Sequence, residues 1–438
     1  MAACIANASA VVPGYGFWFP ESIKSVGPFG WHEGGSSWLC CMGKQRLRLG
    51  IGIHDAAVER EMRGFMQPIA GMIVAVGLIK PPKTAKKKMV DKLVPNDPRV
   101  KHHTTTLPSG HTYHYLEALP SSGTPAATVV LIHGFPDLSF GWRHQIPFLT
   151  SLSLRVIVPD MLGYGLSSAP SPIPPYSYKS LSTDLASLIQ LVSPSHPIIL
   201  GGHDWGGAIV WRLALRHPAL ILGVFSICTP YNAPNSQGYI PKKVLIDQFL
   251  PNFAYQLQFE DPTLENKIQA AGRDGIRKFL NILYGSKDSK TGKGHFVANV
   301  GIDLSLFDEG VKVEKSELLS EEELEFYVDQ YERNGVHAPM NYYRTWDVNY
   351  EEEKADLVKE GKSKVEVPGM ILTATRDTAL PPKMADNMEQ FFPRGLIKRE
   401  VEANHWATWE NPEEVNKAIG EFVGELLKGR AMGFKASI

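Results

Sequence analysis

The sequence predicts an α/β protein with a mostly parallel central sheet, whose strands alternate with helices, and with one long helical segment inserted. Ala127–Ile132 is a continuous apolar, β-branched run, typical of a strand buried on both faces of a parallel sheet. Strand-like and helix-like segments then alternate up to about residue 230. Residues 231–364 are mainly helical and charged, and the buried-strand pattern resumes at Pro368–Thr375.

The remaining elements follow from the same patterns. Lys101–Leu107 and His111–Ala118 flank the turn sequence Pro-Ser-Gly and predict a β-hairpin. Further strands are predicted at Leu154–Pro159, Pro197–Gly201, Leu220–Ile227 and Ile397–Glu402. Helices are predicted from about Trp142 and at Ser177–Val192, Gly206–Arg216 and Glu413–Leu427.

These elements predict three regions. Residues 93–230 and 365–438 form one α/β core, and residues 231–364, inserted at one loop of that core, form a helical lid. Residues 1–92 are an N-terminal extension without a sustained apolar period, which we expect to be poorly structured. Met89–Leu93 reads as a natural start for the α/β core alone, so the extension either adds targeting or is an artefact of the gene assignment.

Composition and charge indicate which kinds of ligand and partner the protein is expected to bind. The formal net charge is −1, which gives no general attraction to nucleic acid and is compatible with a small neutral substrate. The four cysteines are too few for a disulfide framework, and no Cys/His cluster has the spacing of a metal site. We therefore expect no metal, no cofactor and a reducing, cytoplasmic location. No oligomeric state is predicted.

One segment could alter that location. Phe65–Ile79 is apolar apart from one glutamine and runs into the lysine-rich residues 80–88. It is shorter than the roughly 20 residues needed to span a bilayer. Membrane association is therefore expected, if at all, only through Phe65–Lys88.

The strongest chemical signal is Gly202-His203-Asp204-Trp205-Gly206, which lies between a predicted buried strand and a predicted helix. Small residues on both sides of a central reactive residue permit the sharp turn called a nucleophile elbow, the hallmark of the α/β-hydrolase fold. The central residue is Asp204 instead of the serine of esterases, which argues against a serine-type esterase. Asp204 could also be a helix N-cap, but the flanking glycines and the preceding strand favour a nucleophile.

A carboxylate nucleophile can displace a group from saturated carbon and leave an alkyl ester on the enzyme. When water attacks that ester, negative charge develops on the Asp204 side chain. The backbone N–H of Trp205, next in sequence, and that of Phe135, in the turn after Ala127–Ile132, are the predicted oxyanion donors.

Hydrolysis of the ester needs a base that is effective near neutral pH, which points to histidine. The chain has 14 histidines. His133 and His203 lie inside turn motifs in which the backbone, and not the imidazole, is expected to act. His405, by contrast, follows a late predicted strand. The order nucleophile, acid, histidine makes Asp377, after the strand Pro368–Thr375, the partner of His405. The competing interpretation of Asp377 is a loop carboxylate or helix cap.

Several motifs together resemble the soluble epoxide hydrolase family, over about residues 93–427. They are HGFPD at 133–137, WRHQIP at 142–147, DMLGYGLS at 160–167, GGHDWGG at 201–207 and NHW at 404–406. The resemblance implies hydrolysis of an epoxide by water to a vicinal diol, without a cofactor. It also implies that two lid tyrosines hold the epoxide oxygen, and Tyr255 and Tyr343 match those positions, with Tyr342 as the neighbour of Tyr343.

Two other functions remain as alternatives. Haloalkane dehalogenases resemble this fold and also use Asp, His and a Trp after the nucleophile, but they need halide-binding N–H donors in place of phenols. A binding protein on a non-catalytic hydrolase scaffold would have no need for all three members of the triad.

Overall fold

The computed structural model describes residues 29–34, 37–42, 45–49, 90–121 and 123–431. The chain divides into two compact units, Met1–Lys88 and Met89–Ile438. In the first unit the strands Phe29–Gly34 (β1), Ser37–Met42 (β2) and Gln45–Leu49 (β3) form an antiparallel sheet in sequence order, which the sequence analysis did not predict. Phe65–Lys88 lies outside the described residues. No helix in the described part of the chain is long and apolar enough to cross a membrane.

The second unit is built on an eight-stranded sheet with the order β13-β12-β9-β8-β6-β7-β5-β4. Its strands are Lys101–Thr106 (β4), Thr112–Ala118 (β5), Thr128–Ile132 (β6), Arg155–Pro159 (β7), Ile198–His203 (β8), Ile221–Ile227 (β9), Gly369–Ala374 (β12) and Leu396–Val401 (β13). β4 and β5 form an antiparallel hairpin, β5 pairs antiparallel with β7, and the other neighbours are parallel. A two-stranded piece, Phe296–Val297 (β10) and Gly301–Ile302 (β11), belongs to the inserted region.

Helices alternate with these strands and fill the insertion. Those of the core are Gln145–Ser151 (α1), Tyr178–Val192 (α2), Trp205–Arg216 (α3), Ala407–Glu410 (α11) and Pro412–Ala431 (α12). Those of the insertion are Lys242–Gln248 (α4), Ala254–Glu260 (α5), Pro262–Ala270 (α6), Gly272–Leu283 (α7), Glu321–Asn334 (α8), His337–Met340 (α9) and Trp346–Glu353 (α10). The predicted mostly parallel sheet with helices inserted between strands is confirmed.

The strand boundaries follow the prediction to within a few residues, with an informative difference at β8. The sequence analysis ended this strand at Gly201, but the strand continues to His203, which pairs with Ile227. A Cβ on Gly201 would lie 2.1 Å from the ring of Phe225. Only glycine fits at position 201, because the ring of Phe225 occupies the space that a side chain would need.

The strand order determines which loops meet. β6 lies between β7 and β8, so the chain leaves β6 toward one side of the sheet and later returns on the other. Ligand sites in open α/β sheets form at the carboxyl ends of the strands beside such a switch point. The turn after β6 and the turn after β8 therefore meet at the same edge, and the loops after β12 and β13 follow along it.

Removal of residues 1–88 is expected to leave both folding and turnover nearly unchanged, because Met89–Ile438 is a compact unit by itself and the described residues just after Met89 are anchored within it. Leu93 is 1% exposed and its N–H donates to the carbonyl of Arg143, while Lys92 Nζ lies 2.6 Å from Glu323 Oε1. A chain beginning at Met89 should match the full chain in thermal unfolding and in turnover of the epoxide substrate that the resemblance implies.

A chain beginning at Val94 is the matched control for this prediction. It lacks Leu93, whose burial contributes about 1.5–3 kcal/mol, and should unfold at a lower temperature. Unfolding of the chain that begins at Met89 would show that the extension is needed for folding. Loss of membrane pelleting alone would identify the extension as an anchor.

Candidate active site

Asp204 lies at the sharp turn between β8 and α3. Its backbone has φ 54° and ψ −124°, a conformation that costs a non-glycine residue about 1–3 kcal/mol. The hydroxyl of Thr229 donates to the Asp204 carbonyl at 2.7 Å and supports this turn. A Cβ on Gly206 would lie 2.1 Å from the carbonyl oxygen of Ile132, so α3 can approach β6 closely only with glycine there. The turn therefore has the geometry of a nucleophile elbow.

The carboxylate of Asp204 faces the turn that follows β6. Asp204 is 8% exposed, and its Oδ1 accepts the backbone N–H of Phe135 at 2.7 Å. Trp205 is the first residue of α3, so its N–H is one of the first-turn groups that no carbonyl of the helix can accept. Both predicted backbone donors thus lie next to Asp204, and Phe135 already donates to it.

The side chain of His133 stabilises the turn that contains Phe135. Its Nε2 accepts the N–H of Met161 at 2.9 Å, so the proton is on Nδ1, which donates to the carbonyl of Gly134. Burial lowers the pKa of His133 to about 4 and keeps the ring neutral. A Cβ on Gly134 would lie 2.4 Å from the Cβ of Asp204, so the absence of a side chain there lets the turn reach the nucleophile.

His405 lies between two carboxylates. Its Nδ1 is 2.7 Å from Asp377 Oδ2, and its Nε2 is 3.4 Å from Asp204 Oδ2. The other oxygen of Asp377 accepts the N–H groups of Ala379 and Leu380, both at 2.9 Å. Asp377 is 3% exposed, and these bonds hold it with one oxygen toward the imidazole.

The charges of Asp204, Asp377 and His405 influence one another. Burial by itself would lower the pKa of His405, but the carboxylates of Asp377 and Asp204 outweigh it and hold that pKa well above the usual range. Burial likewise would raise the pKa of Asp377, but the charge and hydrogen bond of His405 lower it. The two carboxylates therefore favour a protonated imidazole as long as both are negative.

The main chain of His405 is held by two side chains that the sequence analysis did not assign to the site. His203 Nε2 donates to the carbonyl of His405 at 2.8 Å, and Cys228 Sγ is 3.4 Å from the same oxygen. The ring of His203 thus has a role beyond the backbone role predicted for its turn. Position in the GGHDWGG motif was the available signal for His203, whereas the signal for Cys228 was only its place after an apolar strand.

His203, Cys228 and His405 also bring ligand-type atoms within 4.8 Å of one another. Burial raises the pKa of the Cys228 thiol well above its usual range, which disfavours the thiolate that a metal would need. The hydrogen bonds of His203 and Cys228 both converge on a carbonyl. We interpret this group as support for His405.

Tyr255 and Tyr343 are both buried in the insertion, near Asp204. Their ring centroids lie 6.0 Å apart, and the ring of Tyr343 packs edge-to-face on Trp205 and Phe135 at 5.2 and 5.0 Å. Burial raises the pKa of both phenols, as does the negative charge of Asp204. Both hydroxyls therefore stay protonated and able to donate.

Tyr342 has a different orientation from Tyr343. Its hydroxyl donates to the carbonyl of Leu162 at 3.0 Å, and its ring packs against Tyr176. This hydroxyl is therefore already engaged with the core. The structure thus separates two adjacent tyrosines that the sequence motif alone could confuse.

Phe135, Asp204, Asp377 and His405 thus lie together at the carboxyl ends of β6, β8, β12 and β13. Tyr255 and Tyr343 lie near Asp204 in the insertion. An aspartate at a nucleophile elbow, a buried acid and a histidine, in this order along the chain of a mostly parallel sheet, define an α/β-hydrolase. The family model for the alpha/beta hydrolase fold matches residues 127–412.

Comparison with known proteins shows which family of α/β-hydrolases the chain resembles. The chain is 45% identical over 347 residues to an epoxide hydrolase of Neurospora crassa, covering 77% of this chain and 99% of that protein. It is 34% identical over 329 residues to the bifunctional epoxide hydrolase 2 of Rattus norvegicus, covering 74% of this chain and 55% of the rat protein. The crystal structure of epoxide hydrolase A from Mycobacterium thermoresistibile is similar, with a TM-score of 0.62, 27% identity and coverage of 74% and 98%. The chain belongs to the epoxide hydrolase family of the α/β-hydrolase fold.

Proposed function

We propose that the protein hydrolyses epoxides to vicinal diols through a covalent ester on Asp204. The observation that carries this proposal is an elbow aspartate with two buried phenols close to it, whose rings lie 6.0 Å apart. One Asp204 oxygen accepts the Phe135 N–H, and the rings of Tyr343 and Trp205, the residue after the nucleophile, are in contact. Family membership supports the same reaction.

In the first step, Oδ2 of Asp204 attacks a ring carbon of the epoxide, and the carbon–oxygen bond of the ring breaks. The leaving oxygen is a poor alkoxide, so it needs hydrogen bonds and a proton. The hydroxyls of Tyr255 and Tyr343 would supply them, since burial keeps both phenols protonated. Oδ1 remains with the Phe135 N–H and becomes the carbonyl oxygen of the ester.

In the second step, His405 takes a proton from water, and the resulting hydroxide attacks the Asp204 carboxyl carbon to form a tetrahedral intermediate. Collapse of the intermediate breaks the bond between that carbon and Oδ2, so Oδ2 leaves with the diol and the water oxygen completes the new Asp204 carboxylate. Of the two protons of the water, one goes to the leaving alkoxide and the other restores the phenol that protonated the epoxide oxygen. The developing charge would rest on Oδ1 and be stabilised by the N–H groups of Phe135 and Trp205. Ester formation removes the negative charge of Asp204, one of the two carboxylates that raise the pKa of His405. The pKa of His405 therefore falls when the ester forms, and the imidazole becomes an effective base at the stage that needs one.

A haloalkane dehalogenase would use the same nucleophile but a different lid. A halide leaving group needs no proton, so the two phenols would have no purpose in that reaction. Phe135 offers only its backbone N–H to Asp204 where a polar side chain could help hold halide. These features favour epoxide over haloalkane.

The proposal is tested by assaying the purified protein with a panel of epoxides and haloalkanes of matched size. Diol formation from at least one epoxide is expected, without halide release from the haloalkanes. Asp204→Ala is the matched control, since it removes the nucleophile while leaving the elbow glycines in place, and it should form no diol. Halide release with no epoxide turnover would favour the dehalogenase, and no turnover of either class would favour a binding protein.

A further inference from the structure

Lys242 is a buried lysine that the proposed reaction does not use. It is the first residue of α4 and its side chain is 8% exposed, whereas the next residue, Lys243, is 71% exposed and pairs with Asp247 on the same helix. Burial lowers the pKa of Lys242, although the Glu260 carboxylate opposes this. Burial of an ammonium group costs free energy unless its N–H groups donate to acceptors within the protein.

The ammonium of Lys242 bonds to both segments that carry the proposed epoxide-binding tyrosines. Its Nζ donates to the main-chain carbonyl of Tyr343 at 2.6 Å and lies 3.1 Å from Glu260 Oε2. Glu260 is the last residue of α5, the seven-residue helix that includes Tyr255. One buried cation thus connects the main chain of Tyr343 to the helix that carries Tyr255.

A second cation ties the same two segments at a neighbouring point. Arg344, which follows Tyr343, donates through Nε to the carbonyl of Glu260 at 3.0 Å. It also donates through a terminal nitrogen to Glu265 at 2.8 Å. The 341–344 turn and the end of α5 are therefore joined by charge-assisted bonds, which are about twice as strong as neutral hydrogen bonds.

From these contacts we propose that Lys242 is a positioning residue that sets the separation of the hydroxyls of Tyr255 and Tyr343. The inference rests on the proposed function, in which both hydroxyls act on one epoxide oxygen. Two donors can do so only when their spacing is correct, and a misplacement of about 1 Å can lower a rate by about 10²-fold. Lys242 acts on this spacing through the Tyr343 carbonyl and Glu260, and it touches no reacting atom.

The two half-reactions distinguish this role from a general contribution to stability. The tyrosines act when the ring opens, but water attack on the ester uses His405 and the backbone N–H groups. Lys242→Met, which keeps most of the length but removes the charge, is therefore expected to slow ester formation by about 10- to 100-fold and to leave ester decay unchanged. The exposed Lys243→Met is the matched control and should change neither rate.

Both rates can be measured by rapid quench and intact mass, using the epoxide most readily turned over by the unaltered protein. In a Tyr343→Phe background, Lys242→Met should cause little additional slowing, because the hydroxyl it positions is already absent. Equal slowing of both half-reactions, unchanged ester formation, or independent effects of the two substitutions would each overturn the positioning role.

A variant at the other end of the contact guards against failure of Lys242→Met to fold. Glu260 is 42% exposed, so Glu260→Ala is expected to fold, and it removes the anchor of Lys242 on the Tyr255 helix. Slowed ester formation with normal ester decay in this variant supports the proposal, and normal formation overturns it. If the unaltered protein forms no ester with any epoxide, the proposed function itself fails. If the tyrosine substitutions slow ester formation and those at Lys242 and Glu260 do not, only the positioning role fails.

Discussion

Replacement of His405 by glutamine is expected to stop the reaction at the covalent ester and to add the mass of the substrate to the peptide that contains Asp204. Ring opening requires the Asp204 carboxylate and the lid phenols, whereas ester hydrolysis requires a base for water. Since a general base contributes about 10²–10⁴-fold, steady-state diol formation should fall by a factor in that range. Peptide mass spectrometry after incubation with an epoxide measures the adduct.

The matched control is His196→Gln, which changes an exposed histidine in the loop before β8. This variant should turn over normally and accumulate no adduct. Full turnover by His405→Gln would exclude His405 as the base. An adduct on a peptide that lacks Asp204 would exclude the elbow carboxylate as the nucleophile.

Removal of the two lid hydroxyls is expected to abolish ring opening almost completely. Tyr255→Phe and Tyr343→Phe should each slow ester formation by roughly 10²-fold, the typical effect of deleting one hydrogen bond to a developing oxyanion. The double variant should be nearly inactive with epoxides, since no phenol remains to protonate the leaving oxygen. Single-turnover ester formation measures this effect.

Tyr342→Phe is the internal control for these substitutions. Its hydroxyl bonds to the carbonyl of Leu162, so this change should affect stability more than the rate of ring opening. Epoxide turnover that persists in the double variant would remove the tyrosines from the mechanism. A double variant that prefers haloalkanes would indicate dehalogenase chemistry.

The sequence by itself determined the fold class and the positions of the elbow and the histidine loop. These features depend on short stretches of chain. A run of apolar, β-branched residues indicates a buried strand, and a sharp strand-to-helix turn needs small residues around its central residue. Asp204, Asp377 and His405 could be predicted because parallel strands bring their carboxyl ends to one edge. The catalytic roles of these residues stay predictions until the substitutions are measured.

The tertiary structure alone decided which neighbouring side chains face the site. Tyr342 and Tyr343 share one short turn, but the Tyr342 hydroxyl bonds to the Leu162 carbonyl, whereas the ring of Tyr343 packs against Phe135 beside the nucleophile. Lys242 and Lys243 are likewise adjacent and identical in type, and Lys242 is distinguished by contact with Tyr343, 101 residues away. Local periodicity carries no information about such contacts, because they depend on how the inserted helices pack on one another and on the core.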